Sequence, residues 1–169
     1  KVTEAADRKP FEDVWGVSLP DKVGFTIPKI IDAAASGAVK ALYVMGENPM
    51  MTDPDVKHVE KALKNLDLLV VQDIFLTETG NLAHVVLPTA GWSEKEGTYT
   101  NTERRVQRIR KAVDAPGEAR PDWEIITLLA NRLGANWKYA SAKDIFEEVR
   151  KVTVSYAGIT YDRIEKEGI

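Results

Sequence analysis

Three polar segments in this sequence each follow an apolar run, and their residue types suit a nucleotide. They are GENPM (46–50), QDIFLTET (72–79) and PTAGWSEKEG (88–97). A carboxylate such as Asp73 or Asp122 can accept two parallel hydrogen bonds from the N1–H and exocyclic amino group of guanine. Asn48, Gln72 and Thr77 supply neutral groups for ribose hydroxyls or phosphate oxygens. Lys95 supplies a compact positive charge for a phosphate. Each has a plainer use as well: Asp73 as a strand-end cap, Lys95 as a solvated surface residue and Asp122 as a helix N-cap.

Other chemistries find less support. No GxGxxG follows an apolar run and no GxxxxGK[ST] occurs, which argues against an ordinary Rossmann dehydrogenase and a P-loop NTPase. There is no GxSxG elbow, and neither His58 nor His84 stands near a convincing serine and acid. His84 opens an apolar run, where a structural histidine is expected. Glu94 and Glu96 alternate on an extended segment, which suits a solvated edge as readily as an acid/base pair.

The elements that must position these groups alternate along the chain. Pro28 suits the first turn of a helix through KIIDAAASG, stopped at Gly37. VKALYVMG (39–46) is a continuous apolar run, as expected of a strand buried on both faces. Asp53 can cap a helix with Pro54 in its first turn, and DPDVKHVEKALKNL carries Val56, Val59, Leu63 and Leu66 at helical spacing. LDLLVVQD (66–73) and HVVLPTA (84–90) read as further strands. Strand, helix, strand, short helix, strand is the signature of a parallel sheet with crossover helices. In such sheets ligands bind beyond the carboxyl ends of the strands, so the three polar segments should converge.

The flanks are less regular. Residues 1–27, with Pro10 and Pro20, are expected to be irregular. TYTNTERRVQRIRKAV alternates as a β-ribbon, GEARP is a linker, and Asp122 is placed to cap a helix through DWEIITLLANRLG. SAKDIFEEVRKV and TYDRIEKEG are expected to be two more amphipathic helices. The fold class is thus α/β, a Rossmann-like, mostly parallel sheet over residues 28–115. A linker and helical extension follow over 116–169.

Composition bounds the function. The chain has 169 residues, 44% apolar and 29% charged, with a net charge of -3. It therefore carries no basic footprint for nucleic acid or a membrane surface. With no cysteine and two histidines, it cannot hold a thiolate zinc site or a cysteine-ligated iron–sulfur cluster. No apolar run approaches the roughly 20 residues of a membrane span. A cytoplasmic location is expected, and the start at Lys1 suggests a piece of something longer.

YVMGENPMMTDPD, LLVVQDIFLTETGNLAHVVLPTAGWSEKEGTYTNTERRVQ and APGEARPDWEII, in this order, resemble the large subunit of the molybdopterin-dependent oxidoreductases. The likeness is closest to the catalytic subunit of formate dehydrogenases and extends from about FEDVWGV to the end. It implies a domain that holds one molybdopterin guanine dinucleotide of a molybdenum or tungsten cofactor. Asn48, Gln72, Asp73, Thr77, Lys95 and Asp122 are implied as dinucleotide contacts, and Glu96, Gly97, Asn101 and Arg105 as structural support. The resemblance implies formate oxidation in the whole enzyme, and an iron–sulfur cluster and metal ligands outside this segment. Its partners are then the remaining domains of the subunit and iron–sulfur or electron-acceptor subunits. His84 stands where the family commonly has an aspartate. A nitrate reductase of the same superfamily, or a molybdenum-free structural homologue, are the alternatives.

Overall fold

In the computed structural model, which describes residues 2–169, the elements run in the order α1 (Ala5–Trp15), α2 (Ile27–Ala35), β1 (Ala41–Met45), α3 (Pro49–Thr52), α4 (Val56–Lys64), β2 (Leu68–Asp73), β3 (Val85–Pro88), β4 (Gly97–Thr100), β5 (Val106–Ile109), α5 (Asp122–Arg132) and α6 (Ala142–Val152). The contacts gather them into two compact units. One comprises residues 24–91 and 115–125, the other residues up to 23, 92–114 and 126–169. The ribbon after residue 91 pairs with itself and not with the parallel sheet.

The first unit is an open α/β sheet. β1, β2 and β3 are parallel in that order, with Val44 beside Val71 and Val71 beside Val86. Alternation sends Leu42, Val44, Leu69 and Val71 to one face. There they close a core with Ile31 and Ala34 of α2 and Val59, Ala62 and Leu63 of α4. The opposite face keeps Tyr43, Met45, Leu68 and Val85 exposed. α4 starts two residues later than expected: Asp55 accepts the N–H of His58 at 3.1 Å, and Asp53 instead takes the N–H of Asp55. With two aspartates flanking Pro54, the one that can reach the third residue ahead becomes the cap.

Both histidines are structural pieces of this unit. His58 Nε2 lies 3.0 Å from Asp32 Oδ1, tying α4 to α2. His84 Nδ1 accepts the N–H of Leu69 at 2.9 Å while its own N–H donates to the Leu69 carbonyl.

In the second unit, β4 and β5 form an antiparallel hairpin with Thr98 opposite Arg108. Its turn explains much of the polarity of TYTNTERRV. Asn101 accepts the N–H of Arg105 at 2.9 Å, and Arg104 takes a left-handed φ of 66°, a conformation that a local side-chain bond helps to hold. Val106, Phe146, Tyr161 and Ile164 make the core. Arg108 lies 4.2 Å from the centre of the Tyr161 ring and also meets Glu165 at 3.0 Å.

Two expectations for the flanks are corrected here. Residues 1–27 are not irregular throughout, because α1 forms with Pro10 inside it. Lys9–Asp13 and Arg8–Glu12 pairs support the helix, and Trp15 reaches Glu148 of α6 at 2.7 Å. TYDRIEKEG forms turns, not a helix. Tyr161 and Ile164 turn together into the core, and the single bond from Ile164 N–H to the Thr160 carbonyl is not propagated.

Candidate cofactor site at the strand ends

GENPM, QDIFLTET and the first residues of the third polar segment, 88–91, follow the carboxyl ends of the parallel strands; residues 92–97 belong to the other unit. Gly46 leaves β1 with φ 62° and donates its N–H to the Gln72 carbonyl at 2.9 Å, a backbone conformation that glycine adopts without a Cβ penalty. Asn48, the N-cap of α3, then reaches across to the second segment. Its Oδ1 accepts from Thr79 Oγ1 at 2.7 Å and from Thr79 N–H at 3.2 Å, while its Nδ2 donates to Glu78 at 2.7 Å. Thr79 is buried, and its hydroxyl oxygen also accepts the N–H of Met50. The hydrogen bond from Asn48 Nδ2, followed by Glu78's own backbone, holds the Glu78 carboxyl below its ordinary range.

A second network runs beneath the first. Gln72 is 0% exposed, although glutamine rarely sits inside an apolar strand. Both ends of its amide are bonded: Tyr43 Oη–H donates to Oε1, and Nε2 donates to Asp122 Oδ1 at 2.8 Å. Thr89 shares its one hydroxyl hydrogen between the same Asp122 oxygen at 2.8 Å and the Arg120 carbonyl at 3.0 Å. A short parallel bridge from Thr89 to Arg120 fixes this segment against β3. Partial burial raises the Tyr43 phenol above its ordinary value, and the Asp122 carboxylate raises it further.

The expected contact residues thus separate by environment. Asp73 is partly exposed at the end of β2, and its Oδ1 caps the N–H of Ile74 at 2.7 Å. Thr77 accepts the N–H of Gly80 at 3.1 Å and keeps its hydroxyl hydrogen to donate. Asn48 and Asp122 lie partly buried in networks of the protein's own, and Gln72 is enclosed. Asp122 begins α5 with its carboxylate committed to Gln72 and Thr89. Lys95 belongs to the other compact unit, just past a short 3₁₀ turn at Trp92–Glu94. Tyr43, Glu78, Thr79 and Thr89 complete the networks. Glu78, Thr79 and Thr89 lie in segments already of interest, whereas Tyr43, inside β1, carries no such signal.

A partly exposed carboxylate and a donating hydroxyl beyond the strand ends are groups that can bind and orient a ligand. The hydroxyl of Thr77 and the carboxylate of Asp73 match the donors and acceptors of a nucleotide-bearing cofactor. No group of three or more metal-ligating side chains occurs among the described residues.

An open parallel sheet with polar loops beyond its strand ends is an α/β architecture that ordinarily binds ligands there, and comparison with known proteins gives the family. The sequence profile of the molybdopterin oxidoreductases matches residues 8–132, and the chain belongs to that family. It is 61% identical over 163 residues to the F420-dependent formate dehydrogenase subunit alpha of Methanocaldococcus jannaschii, covering 95% of this chain and 24% of that protein. It is 51% identical over 166 residues to the F420-dependent formate dehydrogenase 1 subunit alpha of Methanococcus maripaludis, covering 97% of this chain and 24% of that protein. Acetylene hydratase from Pelobacter acetylenicus superposes with a TM-score of 0.70 at 26% identity, over 99% of this chain and 24% of the other. The chain therefore spans about a quarter of the length of the relatives it matches.

Family membership implies a molybdopterin cofactor. The two formate dehydrogenases are named as alpha subunits, which implies other subunits beside them. Among the described residues no helix is long and apolar enough to cross a membrane.

Proposed function

We propose that these residues are the part of a formate dehydrogenase catalytic subunit that holds one guanine nucleotide arm of a molybdopterin cofactor. The observation that carries this reading is the 61% identity to a formate dehydrogenase alpha subunit across 95% of the chain. Asp73 reads the guanine edge, because its carboxylate is bonded only to the adjacent Ile74 N–H, whereas Asp122 is bonded to Gln72 and Thr89. Thr77 donates to a ribose or phosphate oxygen, and Lys95 neutralises a phosphate. Gln72, Asn48 and Asp122 act from beneath: they hold the loops that carry the contacts. When bound, the cofactor supplies the two-electron redox chemistry of formate oxidation to carbon dioxide, with molybdenum or tungsten as its metal.

The chain's own contribution is binding and orientation. Metal ligands and an iron–sulfur cluster come from the rest of the subunit, electrons leave through iron–sulfur or acceptor subunits, and the assembly works in the cytoplasm. The test is made on the full-length subunit carrying Asp73→Asn, which keeps the side chain's size and the bond to Ile74. Acid release should yield GMP from the parent protein, and less GMP per molybdenum from the variant, with formate oxidation reduced in proportion. A parent subunit that retains metal but releases no guanine nucleotide overturns the proposal.

A further inference from the structure

The second polar segment carries an apolar triplet that the core does not use. Ile74, Phe75 and Leu76 follow Asp73 directly, and they are 51%, 74% and 64% exposed. Single exposed apolar side chains are ordinary, but three in succession on one loop mark a surface that takes a ligand. The backbone that carries them is held by its own bonds. Ile74 N–H donates to Asp73 Oδ1 at 2.7 Å, and Thr77 N–H to the Phe75 carbonyl at 3.0 Å. Just beyond, Gly80 N–H donates to Thr77 Oγ1 at 3.1 Å and Asn81 N–H to the Thr77 carbonyl at 2.9 Å. A loop already fixed in this way loses little freedom when it binds.

The three side chains are not equivalent. Leu76 leans on the turn that follows, so close that a Cβ at Gly80 would lie 3.2 Å from its Cδ1. Ile74 is branched and offers no flat face. Phe75 is flat, is the most exposed of the three, and is the one aromatic residue in segments 46–50, 72–80 and 88–91. A purine has one hydrogen-bonding edge and two apolar faces. At a partly exposed carboxylate the edge bonds compete with water, and a covered face supplies the affinity that they do not.

We infer that Phe75 stacks on one face of the guanine whose edge Asp73 reads, so that a single short loop both holds and identifies the base. The inference rests on the guanine reading above and divides its labour: the ring sets how tightly a purine binds, the carboxylate which purine. Equilibrium dialysis of GMP, IMP and AMP against the full-length natural subunit, freed of its cofactor, tests it. Hypoxanthine has guanine's ring without the exocyclic amino group, so the ratio of GMP to IMP affinity reports the edge alone. Phe75→Ala should weaken GMP and IMP alike by about 5- to 150-fold, the worth of one stacked base. The ratio and the thermal midpoint should stay where they are. Phe75→Tyr should bind within about threefold of the parent, since any aromatic face will serve. Asp73→Asn should instead narrow the ratio. Unchanged GMP binding in Phe75→Ala overturns the inference and leaves the guanine reading standing. Weaker binding that Phe75→Tyr does not rescue also overturns it, in favour of a side chain that packs against the rest of the subunit. A parent that does not prefer GMP to AMP overturns the guanine reading, and the inference with it.

Discussion

A glutamine buried in the middle of an apolar strand is stable only if both ends of its amide are satisfied, and here a tyrosine and an aspartate do that. Asp122→Ala should cost about 1–3 kcal/mol, because it strands the Gln72 Nε2 where water does not reach and removes a partner of Thr89. Asp73→Ala, at a partly exposed strand end, should stay within about 0.5–1 kcal/mol of the parent. Urea denaturation of both variants decides: equal losses would mean that the two aspartates are not distinguished as described. This difference was not legible in the sequence. Both aspartates follow or precede structured runs with the same chemistry, and only the fold brings residue 122 within 2.8 Å of residue 72. The oddity that could be read was the glutamine itself, closing LLVVQ.

At the level of elements, the sequence was informative wherever burial imposed a period. The three apolar runs became the three parallel strands, and the stripe through Val59 and Leu63 became the buried face of α4. Local signals misled where a longer-range contact decided. Pro10 reads as a breaker, but α1 is held by its own charge pairs and by Trp15 on Glu148. TYDRIEKEG has a helical pattern, but two buried side chains fold it into turns. His84 illustrates the balance between β2 and β3. Its ring accepts a backbone N–H that β3 does not reach. His84→Ala should therefore lower stability by about 1 kcal/mol, while His84→Asp keeps an acceptor of similar reach and should lose less. Comparable thermal shifts for the two variants would show that the acceptor does not matter.

Across the whole chain, stability should carry a signature at alkaline pH. Burial raises the Tyr139 phenol to about 12, helped by its hydrogen bonds to the Glu148 carboxylate. Glu148 also receives the Trp15 indole, so this carboxylate joins α1, α6 and the segment before α6. An unfolded tyrosine titrates near 10, so the folded chain holds the proton more tightly. The contribution is whole below pH 10 and is lost as pH climbs toward about 12. Midpoints of thermal unfolding should fall across that window, and Tyr139→Phe should flatten that part of the fall. An unchanged slope in the variant would remove Tyr139 as its source. Whole-molecule context was the least legible level. A sequence can show what an element buries, but which faces and edges stay open is visible only in the folded chain.

The bond between Gln72 and Asp122 spans 50 positions, and this sets a timetable for synthesis. When the ribosome has made the three parallel strands, the carboxylate that the buried amide needs has not yet been added. Until residue 122 emerges, the Gln72 side chain must stay hydrated, and the end of the sheet cannot close dry. The strand ends are thus the last part of this unit to mature, and the network around Gln72 is completed only after the hairpin at 97–109 has already been synthesised.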